Sequence, residues 1–204
     1  HHPDACFRAE LEKRLKGKGI TLDKQKIEDG ERHALFTLVS PFLKDIVYYT
    51  NKNSINLFAE ALGELISPTD YARTVKAELS GMGIDSCGIT LKDASGLSPA
   101  NAVPAEVFTD LLIWAKGHLS DVFVASLPQG NVDWGLRIYS DHPILRGNIL
   151  AKTGSMSGVR ALAGYLKTQR GETLAFTILV NNYVGDPVKV QEIIRDLLKE
   201  FADK

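Results

Sequence analysis

The sequence predicts an α+β protein: a run of helices, then an antiparallel sheet, then one more helix that can pack on it. Three observations carry this. Between residues 42 and 119 apolar side chains recur at helical spacings of three and four. From Ile149 the pattern changes to short apolar runs, Ile149 to Thr153, Val159 to Lys167 and Thr173 to Asn181, the last two linked by the turn-like "KTQRGE". From Pro187 the helical spacing returns through Val190, Ile193, Ile194, Leu197, Leu198 and Phe201.

Each element has its own signal. Phe7, Leu11 and Leu15 lie on one stripe and Gly17 and Gly19 follow, which predicts an amphipathic helix with a glycine stop. Residues 20 to 33 are polar and read as loop or short edge structure. Ser40-Pro41 reads as a helix start, the serine capping and the proline in the first turn. Phe42, Leu43, Ile46, Val47 and Tyr49 supply the buried face. The polar patch Thr50 to Ser54 is expected to break that helix, and Leu57, Ala61 and Leu65 define the next. Thr69 is the expected cap of a third, with Tyr71, Val75 and Leu79 before Gly81 and Gly83. Pro104 opens a fourth that runs through Leu111, Leu112 and Ala115 to Leu119. Trp114 joins its apolar face. Residues 128 to 143 read as loop, and Asp186-Pro187 as the start of the last helix.

The chain is long enough for one domain with a sizeable core, or for two small ones. Of its 204 residues 44% are apolar and 24% charged, with a net charge of -1, so no basic excess points to nucleic acid. No apolar run approaches the roughly 18 residues of a membrane span. His1 and His2 read as a tag remnant, which assigns residues 3–204 to one domain. Cys6 and Cys87 are too few for a disulfide framework and read as buried or half-buried thiols. His33, His118 and His142 show no metal-ligand spacing.

Two short stretches carry chemistry. In "ILAKTGSMSGVRALAGYL" the first strand ends in Lys152, Thr153 and Gly154, followed by the small residues Ser155, Ser157 and Gly158. A glycine lets another backbone come close, and an open strand edge can pair with an extended peptide. A lysine there would meet a carboxylate at the peptide's end. The plainer reading is a surface lysine before a small-residue turn. The second stretch, Ser54-Ile55-Asn56, places a hydroxyl and a carboxamide at a helix start. Its plainer reading is helix capping.

Together and in this order they form a pattern. Ser-x-Asn followed about a hundred residues later by Lys-Thr-Gly resembles the penicillin-recognising serine enzymes. "YYTNKNSINLFAEALGELI", "LKDASGLSPANAVPAEVFTDLL", "FVASLPQG" and "ILAKTGSMSGVRALAGYLKTQRGETLAFTILVNNY" are similar to the D-alanyl-D-alanine carboxypeptidase/endopeptidase family, the class C low-molecular-mass penicillin-binding proteins. The resemblance implies a β-lactamase/penicillin-binding-protein-like fold and a serine-type hydrolase of the cell envelope, periplasmic or otherwise extracytoplasmic. Its partners would be peptidoglycan stem peptides ending in D-Ala-D-Ala, with β-lactams as acylating mimics and no cofactor or metal. It implies roles too. Ser54 would pass a proton between nucleophile and leaving group, and Asn56 would hold the substrate amide carbonyl. Lys152 and Thr153 would bind the terminal carboxylate, and the Ser155 N–H would donate to the oxyanion. Gly154 would let the substrate backbone approach, and Ser95 and Gly96 would shape the cleft floor.

The sequence departs from the family in three places. Ala94 stands where a glycine is usual in the Asp93 to Leu97 stretch, and Trp134-Gly135-Leu136 stands where Gly-Thr-Leu is usual. No serine has a lysine three residues later. Thr21-Leu22-Asp23-Lys24 fits that spacing only with threonine, and reads as surface loop. The chain is therefore expected to be the C-terminal part of a transpeptidase-like domain, without the nucleophile helix and outer strands, inactive alone and forming a homodimer or a strand-paired assembly through the surface this leaves open. The alternatives are a non-catalytic peptidoglycan-binding module and a β-lactamase-like hydrolase.

Overall fold

A computed structural model describes residues 3–21, 37–119 and 121–203. His1, His2, residues 22–33 of the polar stretch, with His33, and Leu22 to Lys24 of the threonine-lysine pair lie outside them. The chain divides into two units, His1–Ser40 and Pro41–Lys204.

In the first unit α1 (Pro3–Gly17) stops where the glycines predict, and Gly19 takes a positive φ of 74°. Its apolar stripe is not buried: Phe7 and Leu11 are exposed. Cys6 and, in the second unit, Cys87 are both exposed free thiols rather than buried ones.

The second unit is built round three antiparallel strands in the order β1-β2-β3: β1 (Ile149–Met156), β2 (Val159–Lys167) and β3 (Thr173–Asn181). β1 runs three residues beyond the expected end at Thr153. Gly154 pairs with Ala161 and Ser155 with Arg160, and a two-residue turn, Ser157-Gly158, closes the hairpin. Gly158 takes a positive φ of 69°, which suits a glycine there. Strand alternation sends Ile149, Ala151, Leu162 and Leu166 to one face, against Ile194, Leu198 and Ala202 of α8 (Pro187–Ala202). Leu150, Ala163, Tyr165 and Ala175 face the other way, towards Leu112 of α5 (Ala105–His118) and Leu127. The Tyr165 hydroxyl donates to the Leu112 carbonyl at 2.6 Å. Gly164 has no room for a side chain, because an added Cβ would strike the Leu150 carbonyl oxygen and lie 2.5 Å from Ala151 Cα.

The helices before the sheet differ from expectation at their ends. α2 (Leu43–Asn53) begins after Phe42, not at Ser40. Phe42 keeps an extended ψ of 146°, so its carbonyl is the first helical acceptor and Ser40 is too far back to cap. The Thr50 to Ser54 patch does not break the helix before Asn53. Thr50 bonds back to the Ile46 carbonyl at 2.6 Å, and Asn51 and Lys52 find polar partners elsewhere. α3 is Asn56–Ile66, and α4 (Tyr71–Gly81) is capped by Asp70 rather than Thr69, its carboxylate accepting from Arg73 N at 3.3 Å. Pro104 precedes α5 as expected, and Trp114 is half-buried in that helix, stacked on His118 with ring centroids 4.7 Å apart.

The region read as loop holds more structure. α6 (Asp121–Ser126) precedes it, and Trp134–Leu136 forms a 3-10 turn that leads into α7 (Arg137–Ser140). Elements this short span about one turn, so they leave no periodicity to read. Leu136 and Tyr139 nevertheless join the α8-side core. β3 has no partner on its far side among the described residues. Phe42, Leu43, Leu57 and Leu65 are exposed on or beside α2 and α3.

Candidate active site

Ser54 ends α2 in the left-handed region, with φ 53° and ψ 50°. A side chain there costs about 1 kcal/mol, so glycine would be the easier choice. The strained turn brings α3 in two residues later, at Asn56. Neither residue caps it: Ile55 holds the N-cap position and no side chain bonds the helix start. The Ser54 hydroxyl instead accepts a hydrogen bond from Lys152 Nζ at 3.0 Å, across 98 residues of sequence. The Asn56 side chain is exposed and bonds to no other described residue. The two motifs thus meet at one corner.

Lys152 projects from the α5 face of β1, on the same side as Leu150. It is half-buried, and its ammonium also donates to the Thr153 carbonyl at 2.9 Å. Burial lowers its pKa from the ordinary 10.5, because the charged form loses hydration. Alternation puts the Thr153 side chain on the opposite face, beside the 3-10 turn. A Cβ added at Gly135 would lie 3.6 Å from Thr153 Oγ1.

The edge of β1 is open over a short length only. Gly130 N–H donates to the Ile149 carbonyl and Ala151 N–H to the Pro128 carbonyl, both at 2.9 Å, so residues 128–130 strap the first part of the edge. The same alternation turns the backbone N–H groups of Thr153 and Ser155 outwards beyond the strap, where no described strand covers them. Ser155 is exposed.

Ser95 is tied to α3. Glu60, one turn beyond Asn56, accepts from Ser95 N–H at 2.9 Å and from Ala94 N–H at 3.4 Å. Ala94 packs where Gly63 leaves space, since a Cβ at residue 63 would lie 2.5 Å from its own. Asp93 ties the loop by accepting from Gly96 N–H at 2.8 Å and from the Asn101 amide at 2.7 Å. Desolvation pushes the Asp93 pKa up, but the bonds it accepts from Asn101, Gly96, Ser98 and Leu97 outweigh this and hold it below the ordinary 3.8. The Ser95 hydroxyl is buried without a partner among the described residues.

One further device leaves no mark in the amino-acid sequence. Lys52 Nζ donates to the Leu127 carbonyl at 2.7 Å and to Asp133 Oδ2 at 2.9 Å, and Asp133 accepts from Gln129 N–H at 2.6 Å. Asn51 Nδ2 donates to Ser126 Oγ at 2.7 Å. The end of α2 is thereby tied to the segment that straps β1. The bonds close a ring from Ser54 through Lys52, Asp133, the strap and β1 back to Lys152. The spacing of Lys52 and Asp133 follows no local pattern, and only the tertiary fold joins them.

A fold and corner of this kind define a class. The structure superposes on penicillin binding protein 4 (dacB) of Haemophilus influenzae, complexed with a β-lactam, with a TM-score of 0.86 and 28% identity, over 100% of this chain and 52% of that one. A β-lactamase from Chitinophaga pinensis shares the fold, with a TM-score of 0.62 and 22% identity over 79% of this chain and 64% of its own. The protein is thus part of a β-lactamase/penicillin-binding-protein-like fold, with an antiparallel sheet packed between helices. The profile of the D-Ala-D-Ala carboxypeptidase 3 (S13) family matches residues 1–204, and the chain belongs to that family. The D-alanyl-D-alanine carboxypeptidase of Actinomadura sp. (strain R39) is 33% identical over 194 residues, 88% of this chain and 35% of that protein. The chain therefore spans about a third of the length of that curated relative.

Proposed function

We propose that this chain forms the carboxylate-binding side of a serine-type D-Ala-D-Ala carboxypeptidase or endopeptidase that acts on peptidoglycan stem peptides in the cell envelope, outside the cytoplasmic membrane. The observation that carries the reading is the 3.0 Å bond between Lys152 Nζ and Ser54 Oγ, which joins the Lys-Thr-Gly and Ser-x-Asn motifs at one corner. A stem peptide lies along the open part of β1, antiparallel to it. Its terminal carboxylate meets the Lys152 ammonium, with Thr153 on the far side of the same edge. The Ser155 N–H supplies one oxyanion donor, worth about 3 kcal/mol in the transition state because it faces charge that develops there. The free Asn56 carboxamide holds the amide carbonyl of the peptide. The Ser54 hydroxyl, polarised by Lys152, passes a proton from the attacking hydroxyl to the departing amine. Gly154 keeps the edge low, and Ser95 and Gly96 shape the cleft from the α3 side.

The attacking serine is not in this sequence, which contains no Ser-x-x-Lys. The isolated chain is accordingly inactive and takes no covalent penicillin. Its β3 edge, uncovered among the described residues, and the exposed Phe42, Leu43, Leu57 and Leu65 favour a homodimer, checked by light scattering at tens of micromolar.

Two assays test the reading. Fluorescent penicillin should label the intact protein and leave this chain unlabelled; a stoichiometric adduct on the chain overturns the assignment of the nucleophile. In the intact protein, Lys152→Ala should cut kcat/KM for D-Ala release about a hundredfold, as loss of a charged partner of a buried carboxylate predicts. Unchanged kcat/KM overturns the role of Lys152.

A further inference from the structure

The outward N–H of Ser155 has no ladder bond to hold it. Alternation leaves both its N–H and its C=O pointing away from β2. Its direction is therefore set by the pairs on either side, Gly154 with Ala161 and Met156 with Val159. The second of these is the last pair before the Ser157-Gly158 turn. The end of a ladder is where local opening begins. A donor aimed at developing charge loses most of its effect when displaced by about 1 Å.

One side chain spans that last pair. Arg160 is the residue in register with Ser155. Its Nη1 donates to the Met156 carbonyl at 3.1 Å and to the Val159 carbonyl at 2.8 Å. Its guanidinium carbon lies 5.4 Å from the centre of the Tyr183 ring, within reach of a cation–π contact. Tyr183 in turn donates its backbone N–H to the Gly158 carbonyl at 3.2 Å. The turn is held from two directions, by a β2 side chain and by the segment that follows β3.

The arrangement works against stability. On β3 the partner of Arg160 is Val180, and two residues further along β2 stands Leu162, both packed with the core. An apolar side chain would continue that surface. Arg160 is instead half-buried, and its Nε–H is buried without a partner among the described residues. A buried donor left unpaired destabilises a fold. What the arginine supplies in return is a fixed tip on β1.

We propose that Arg160 is a positioning residue for the Ser155 N–H: by bonding both carbonyls of the closing pair it fixes the direction of that donor, and so acts on the chemical step rather than on binding at Lys152. This inference rests on the reading of Ser155 proposed above.

Arg160→Met in the intact protein removes the donors and keeps the stem. Hydrogen exchange should quicken at the Met156 and Val159 amides and stay as it was at Leu162 and Tyr165. The denaturant midpoint should change little, since the unpaired Nε–H goes as well. For D-Ala release kcat should fall about tenfold and KM should stay within about twofold, because a displaced oxyanion donor is missed only in the transition state. Arg160→Lys should recover most of kcat, since one ammonium has donors enough for both carbonyls. Unchanged exchange at Met156 overturns the inference. So does a KM that rises with kcat unchanged, a lysine variant as slow as the methionine one, or a lower midpoint with exchange raised along all of β2. If the unaltered intact protein releases no D-Ala, the peptidase reading itself fails and this inference falls with it.

Discussion

The two sides of the second unit are held together by different forces. On the sheet side, α8 buries Ile194, Leu198 and Ala202 against β1 and β2, and Leu136 and Tyr139 fill the gap beneath. At the corner, α2 buries no side chain and α3 buries only Gly63. What holds α2 to its surroundings is polar: Asn51 to Ser126, Lys52 to Leu127 and Asp133, Ser54 to Lys152. Apolar burial is non-directional and adds with area, so it suits a scaffold. Hydrogen bonds and ion pairs contribute less net free energy but fix distance and direction. The protein places its stability in the sheet and its geometry at the corner.

The comparison breaks most sharply in the sheet. Leu198→Ala should lower the unfolding free energy by about 3 kcal/mol in a denaturant titration, since Leu198 is 1% exposed and its loss leaves a cavity. Gly164→Ala should cost a similar amount by overpacking. It should also act on the site, because the added methyl would push against Ala151, one residue before Lys152. If Leu198→Ala is neutral, the apolar half of the comparison is wrong.

At the corner the expected losses are smaller and local. The Lys52 and Asp133 side chains are 13% and 22% exposed, so removing one leaves a largely desolvated charge. Lys52→Met should cost about 1–3 kcal/mol, and the double change with Asp133→Leu less than the sum of the two single ones. Hydrogen exchange should rise at the amides of residues 127–133 before it rises in β2. Exchange that rises evenly over both regions would show that the tie has no local role.

Ser54→Gly divides geometry from stability. Glycine relieves the positive φ, so the unfolding free energy should hold or rise slightly, by an amount on the order of 1 kcal/mol at most. The hydroxyl that meets Lys152 is lost, and under the proposed function peptide turnover should fall with it. A variant that loses stability and keeps turnover would refute the reading of Ser54 as a functional residue held under strain.

Much of the sheet side was legible in the sequence, and the reason is periodicity. β2, β3 and α8 have the ends that their apolar runs and the Asp186-Pro187 start predict. The Asp186 carboxylate accepts from Val188 N–H at 2.8 Å, as that start requires. The sequence pattern ends β1 too early, because Gly154 and Ser155 lack the bulk that marks a strand, and their pairing with β2 is decided by the hairpin. For α2 the pattern predicts an early break for the opposite reason: Asn51 and Lys52 look like a loop until Ser126 and Asp133 supply partners from far along the chain. The Ser54–Lys152 meeting was legible only through motif order. The ties of the Ser95 loop, Ser95 N–H to Glu60 and Gly96 N–H to Asp93, leave no mark in the sequence, because only the fold brings Glu60 to that loop.

The smallest expected effect concerns the one charge that both sides share. Burial lowers the Lys152 pKa below 10.5, the value of an ordinary lysine. Between the folded and unfolded values the unfolded chain binds more protons, so stability rises with pH across that window. The buried tyrosines act with the opposite sign. Desolvation raises the pKa values of Tyr139 and Tyr165 above 10.0, so their contribution falls once the unfolded chain begins to ionise near that pH. The Lys152 effect is therefore read on the approach to pH 10, as the difference between the protein and Lys152→Met in denaturant midpoint. The midpoint of the unaltered chain should rise with pH relative to the variant. A peptide carboxylate at Lys152 favours the charged form, so its affinity should fall as pH rises through the lowered pKa, earlier than it would at a fully hydrated lysine. A flat difference in midpoint, or an affinity that holds up to pH 10.5, would place the ammonium in open solvent and remove it from the shared wall of the two sides.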